Sequence, residues 1–66
     1  MSVDLLDWIV SMDFKYYVND DNTCHWYLKR SLERFTSEEI LLIYESSMSS
    51  QLRERWNWAV ADAIRK

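Results

Sequence analysis

Apolar and polar positions repeat with a helical period over three long stretches of the chain. Residues 2–13, 22–35 and 50–65 each return an apolar side chain every three or four positions, which places these side chains on one face of an α-helix. A fourth stretch, residues 40–44, is continuously apolar and follows a polar helix-start signal at 36–39. We therefore predict an all-α fold, a compact bundle of three to four short helices that forms a single domain over residues 1–66.

The segment 36–44 is predicted to be the central helix of this bundle. Thr36 and Glu39 have the spacing of a capping box, in which each side chain accepts a hydrogen bond from the other residue's backbone N–H. The apolar run that follows occupies most of the helix circumference, so we expect the helix to be covered on more than one side.

The chain has no Gly and no Pro, and this absence affects the choice between helices and hairpins. Turns that need a positive φ must then use Asn, Asp or Ser, which favours helices joined by polar connectors. Residues 14–18 have the propensity of a short strand, but we find no second strand for them and interpret them as a helix continuation or an extended connector. The Asn and Asp cluster at 19–22 is predicted to begin the second helix, and the serines at 46–50 to precede the last.

Composition and charge narrow the classes of function. A chain of 66 residues has a small core, although four Trp, four Tyr and two Phe supply large apolar side chains. A single Cys excludes an internal disulfide, so we expect a cytoplasmic protein, and no apolar run approaches the roughly 20 residues that cross a bilayer. The chain is a small acidic protein of net charge −3 without a concentrated basic face, so direct nucleic-acid binding is not expected.

The arrangements of residues needed for catalysis or metal binding are missing from the sequence. Cys24 and His25 are adjacent, so on a helix they point about 100° apart and do not form a nucleophile–base pair. One Cys and one His are too few for a zinc site, and without glycine the phosphate-binding loops are excluded. We therefore predict no catalytic, cofactor-binding or metal site, and no enzymatic activity.

Three apolar residues on otherwise polar helix sides suggest a surface for binding another protein. Trp26, Leu42 and Trp58 each break the pattern of the predicted helix, and tryptophan is strongly enriched at binding hot spots. Arginines within helical reach of the two tryptophans offer cation–π stacking as an equally weighted structural explanation. The candidate interaction residues are Trp8, Trp26, Arg30, Leu42, Arg55 and Trp58.

These observations predict a non-enzymatic regulator or inhibitor, of the kind found among bacterial and bacteriophage accessory proteins, that docks on a larger protein. The first predicted helix is apolar over most of its circumference, so we also expect a homodimer that covers this helix or the tryptophan-bearing sides. The alternative is a helix-turn-helix regulator that binds DNA through the basic residues of the last helix.

Overall fold

A three-stranded antiparallel sheet and three α-helices make up the part of the chain that the computed structural model describes, residues 4–65. The elements in chain order are α1 (Leu5–Ser11), β1 (Phe14–Val18), β2 (Cys24–Leu28), β3 (Phe35–Thr36), α2 (Ser37–Tyr44) and α3 (Ser50–Arg65). The architecture is α+β, and the prediction of an all-α helical bundle is wrong.

A β-hairpin is the reason for this correction. β1 and β2 pair in antiparallel fashion, with Phe14 opposite Leu28 and Val18 opposite Cys24. The segment 22–35, predicted as one helix, therefore contains β2 and part of β3 instead. Residues 24–28 are mostly aromatic or apolar on both faces, and such a short run fits the helical period as well as the strand period. β2 is thus the partner strand that residues 14–18 were thought to lack.

The Asn and Asp cluster at 19–22 forms the hairpin loop and does not begin a helix. The Asn19 N–H donates to the Thr23 carbonyl at 2.9 Å, and Asn22 has the left-handed φ of 66°. Left-handed backbone also occurs at Asp13, Arg30 and Ser46. Asp13, Asn22 and Ser46 are of the types expected to replace glycine where φ is positive. Because Asn tolerates this conformation, the absence of glycine does not exclude a hairpin.

The last two helices begin where the sequence predicts. Thr36 is the N-cap of α2, and both hydrogen bonds of its capping box with Glu39 are present, at 2.9 and 3.1 Å. α3 spans Ser50–Arg65, which confirms the predicted range. The first helix is shorter than the predicted range of 2–13: it spans Leu5–Ser11 with Asp4 as its N-cap, and residues 2 and 3 lie outside the described residues.

The core lies between one face of the sheet and the three helices. Alternation along the strands directs Phe14, Leu28 and Phe35 toward the helices, and all three are buried. The helices contribute the remaining buried apolar side chains, Ile9, Ile40, Ile43, Leu52 and Ala59. α2 packs against α1, α3 and the sheet, so the expectation that it is covered on more than one side is confirmed, and its exposed apolar residues are Leu41 and Leu42, at 43% and 39%.

Candidate functional site

Trp26 lies at the junction of the hairpin and α2. It is the central residue of β2, where its ring packs against Tyr16 of β1 with 4.8 Å between centroids. Its indole Nε1–H donates to the Ser37 hydroxyl, the first residue of α2, at 3.1 Å. The side chain is half-buried, so one part of the ring is fixed by these contacts and another part remains accessible.

An open groove lies beside this tryptophan, between α1, β2 and the start of α2. Its volume is about 380 Å³. The lining is mostly apolar and consists of Asp4, Leu5, Leu6, Ile9, Trp26, Ser37 and Ile40. Leu6 is 62% exposed at this groove, whereas Ile9 and Ile40 are buried and connect its base to the core. We call this feature the Trp26 groove.

The surroundings of the Trp26 groove are acidic. Asp4 lines it directly. Glu38 is exposed and lines a neighbouring depression that shares Ser37 with the groove. The residues that line the groove include no Lys or Arg. The site therefore favours a ligand that combines an apolar anchor with positive charge.

The other apolar residues singled out from the sequence lie elsewhere. Trp8 packs inside the protein, with its ring 5.8 Å from Phe14 and 5.3 Å from Tyr44. Leu42 on α2 and Trp58 on α3 are solvent-exposed, at 39% and 55%, and neither lines the Trp26 groove. The structure therefore separates the predicted interaction residues, and only Trp26 is part of the groove.

The two arginines do not form the predicted pairs with tryptophan. The Arg55 guanidinium lies 5.0 Å from the centre of the Phe35 ring and forms ion pairs with Glu33 and Glu39. Arg30 is exposed in the turn after β2. Among the described residues, the rings with an arginine over them are those of Tyr17, Tyr27 and Phe35. Arg55 thus has a structural role in joining α3 to the sheet.

The sheet face opposite the helices is aromatic, and the prediction of a helix over 22–35 did not anticipate it. The rings of Tyr17 and His25 stack with 5.5 Å between centroids, and Arg34 lies 4.5 Å from the centre of the Tyr27 ring. The alternation of aromatic side chains at 17, 25 and 27 becomes visible only once both strands are recognised. Arg34 already covers the tyrosines, and its guanidinium donates to the Ser31 carbonyl at 2.8 Å, so this cluster stabilises the turn after β2.

Hydrogen bonds alter the acidity of two hairpin side chains. The Tyr16 hydroxyl donates to the Cys24 thiol at 3.0 Å, and this bond raises the pKa of Tyr16 above its ordinary value. The Asp21 carboxylate accepts from the Thr23 hydroxyl at 2.7 Å and from its N–H at 3.2 Å, which lowers the pKa of Asp21. All three hydrogen bonds stabilise the hairpin while Tyr16 is protonated and Asp21 is ionised, as they are at neutral pH.

Cys24 and His25 are neighbours on β2, so their side chains project to opposite faces of the sheet. Residues 4–65 contain no group of three or more His, Cys, Asp or Glu arranged to hold a metal ion. None of the helices in this range combines the length and apolar character needed to cross a bilayer. Comparison of the chain with family models, with curated proteins and with solved structures gives no match.

Proposed function

We propose that this protein is a small non-enzymatic regulator or inhibitor that binds a larger protein through the Trp26 groove. The observation that supports this most directly is the position of Trp26, half-buried beside an apolar groove with the largely exposed Leu6. Tryptophan is among the residues most enriched at binding hot spots, which lie in well-packed pockets that the partner desolvates. Trp26 already lines the groove, so a partner could contact it without a rearrangement of the fold.

The form of the groove favours a side chain from a partner's helix or loop over a small metabolite. Its volume of about 380 Å³ is near the lower end of small-molecule pockets, and it is open along one side. Apolar residues of α1 line it, with the N-terminus of α2 beside them. An amphipathic segment that inserts one or two apolar anchors is a common way to fill such a groove.

The acidic residues around the groove define the expected charge of the partner. Asp4, which lines the groove, and Glu38, which lines the neighbouring depression, are both exposed. A partner segment with Lys or Arg on either side of its apolar anchor would be attracted and oriented by these carboxylates. We therefore expect the partner to present a basic amphipathic segment.

The helix-turn-helix alternative receives less support from α2 and α3. These helices follow each other across residues 45–49, but Arg55, near the middle of the predicted recognition helix, is engaged with Glu33 and Glu39. Glu54 is exposed on the same helix and would face phosphates unfavourably. We therefore place the binding surface on the Trp26 groove.

Selection of peptides from a random library displayed on phage tests the proposal without knowledge of the natural partner. We expect enriched peptides to combine apolar anchors with Lys or Arg, and to lose binding by at least tenfold to Leu6→Asp. Ile64→Asp is the matched control, because Ile64 is 80% exposed on α3 and does not line the groove.

Nuclear magnetic resonance of the indole N–H groups provides the structural readout. The Trp26 Nε1–H has a distinct environment because it donates to Ser37, so its resonance should shift when an enriched peptide binds. Peptides that bind the Leu6→Asp and Ile64→Asp variants equally, and leave the Trp26 indole resonance unchanged, would refute the groove as the binding site.

A further inference from the structure

β1 is an edge strand of the sheet. The strand order is β1-β2-β3, so β1 pairs with β2 on one side, and no strand among the described residues pairs with its other side. An edge of this kind presents unpaired backbone N–H and C=O groups, which can pair with a strand from another chain.

The hydrogen bonds at the two ends of the hairpin show which backbone groups point outward. Asn19 N–H donates to the Thr23 carbonyl at 2.9 Å, and Lys29 N–H donates to the Asp13 carbonyl at 3.2 Å. In an antiparallel pair, hydrogen-bonded and non-hydrogen-bonded positions alternate. The odd-numbered residues of β1 therefore bond to β2, and the N–H and C=O groups of residues 14, 16 and 18 point toward the free edge.

We propose that this edge binds β1 of a second copy of the chain, antiparallel and around a two-fold axis that passes beside Tyr16. Tyr16 then lies opposite the partner subunit's Tyr16, and Phe14 lies opposite the partner subunit's Val18. Every outward-pointing N–H and C=O of the three positions meets its complement, and the two sheets join into one of six strands. This interface is separate from the Trp26 groove and does not depend on the function proposed for it.

Charge favours this register over the one centred on Lys15. Lys15 is the one charged residue of β1. With the axis beside Tyr16, Lys15 lies opposite the partner subunit's Tyr17, and an ammonium group next to an aromatic ring is a favourable cross-strand pair. An axis beside Lys15 would instead place two lysines directly opposite each other, which is destabilising. The sequence of the strand is thus compatible with pairing to itself in this register.

Two exposed side chains add apolar area to the interface. Tyr16 and Val18 are 52% and 53% exposed, and both project from the sheet face that packs against the helices. A five-residue strand with these side chains gives an interface below about 1,200 Å², the size of weak and transient contacts. We therefore expect the dimerisation to be weak and reversible.

Cysteine cross-linking tests both the dimer and its register, in a Cys24→Ser background that removes the native thiol. Hydrogen-bonded partners in an antiparallel pair have Cα atoms about 5.5 Å apart. This is within the range for a disulfide, so Tyr16→Cys should form a covalent dimer under mild oxidation. Val18→Cys is a control of matched exposure, since the two copies of that position would be roughly 13 Å apart, too far for a disulfide.

Sedimentation equilibrium between 5 and 500 μM provides a second measurement on the unmodified chain. We expect the wild type to dimerise, Tyr16→Lys and Tyr16→Glu to remain monomeric when measured separately, and an equimolar mixture of the two variants to associate again. Circular dichroism verifies that each variant is folded.

A wild type that stays monomeric at 500 μM would overturn the proposal, and the edge would then be left to a foreign strand. Equal cross-linking of the Tyr16→Cys and Val18→Cys variants, or cross-linking of the latter alone, would overturn the register.

Discussion

Replacement of Arg55 by methionine should destabilise the fold by removing the contacts that join α3 to the sheet and to α2. The Arg55 Nη1 group donates to Glu39 at 2.6 Å, its Nε lies 3.5 Å from Glu33, and its Nη2 donates to the Arg34 carbonyl. The guanidinium also packs over the buried Phe35 ring. Methionine keeps most of the aliphatic stem and removes the charge and the donors, so the measured loss reports the polar contacts.

The size of the expected loss of stability depends on how exposed the Arg55 and Glu39 side chains are. The Arg55 side chain is 40% exposed and that of Glu39 27%, so water screens part of the ion pair. A hydrogen bond to a charged group contributes about 1.5–3 kcal/mol when buried, and an exposed ion pair about 0–1 kcal/mol. We expect a net loss of about 1–2 kcal/mol, which is a large fraction of the roughly 3–10 kcal/mol available to a domain of this size.

Urea unfolding followed by circular dichroism measures this loss. Arg53→Met is the matched control, because Arg53 is an exposed residue of the same helix. Arg55→Lys should fall between wild type and Arg55→Met, since an ammonium retains the attraction to Glu39 but lacks the planar array of donors. The corresponding fall in Tm is roughly 5–15 °C for Arg55→Met. If Arg53→Met and Arg55→Met lose the same stability within about 0.3 kcal/mol, the structural role assigned to Arg55 is wrong.

Four further substitutions test the core, the hairpin junction and the hairpin loop. Phe35→Ala should cost about 3–5 kcal/mol because Phe35 is fully buried, and a thermal transition within a few degrees of wild type would contradict its central position. Trp26→Phe and Ser37→Ala should each cost about 1 kcal/mol through the same hydrogen bond, and strictly additive losses in the double variant would disprove the bond. The pKa of Asp21 is lowered by its hydrogen bonds from Thr23, so its contribution is complete above the unfolded-state pKa of about 3.9 and disappears as the pH falls through the lower folded-state value. The difference in Tm between wild type and Asp21→Asn should therefore shrink from pH 6 to pH 2, and a constant difference would refute this assignment.

α2 and α3 were predictable from the sequence because the signals that specify them lie within a few neighbouring residues. Thr36 and Glu39 are three residues apart and complete a capping box without any other part of the chain, and the period of 50–65 is long enough to identify α3. Prediction of β1 and β2 would have required recognising that two segments pair with each other. Neither segment shows a clear alternation of apolar and polar residues. Residues 14–18 and 24–28 are apolar or aromatic on both faces because one face packs on the core and the other stacks its own rings. A rule based on period alone could not distinguish them from helix.

The candidate site was only partly predictable for the same reason. Trp26 was singled out because it broke a helical pattern, yet it belongs to a strand in which it faces the helices with Phe14 and Leu28. Leu6 belongs to the first predicted helix, which we expected a homodimer to cover, but it was not among the candidate interaction residues. Its place in the groove depends on where α1 lies relative to β2 and α2, which no local feature of residues 5–11 specifies.

Thr36 is at once the last residue of β3 and the N-cap of α2. As a strand residue it is held opposite His25, and as a cap it accepts the first hydrogen bond of the helix through its hydroxyl. The extended backbone required by the sheet is the same conformation that an N-cap requires, so docking of β3 prepares the nucleation step that is otherwise unfavourable for an eight-residue helix. β3 and α2 should therefore open and close as one cooperative unit, and amide exchange at Phe35 and at the first turn of α2 should share a single opening free energy.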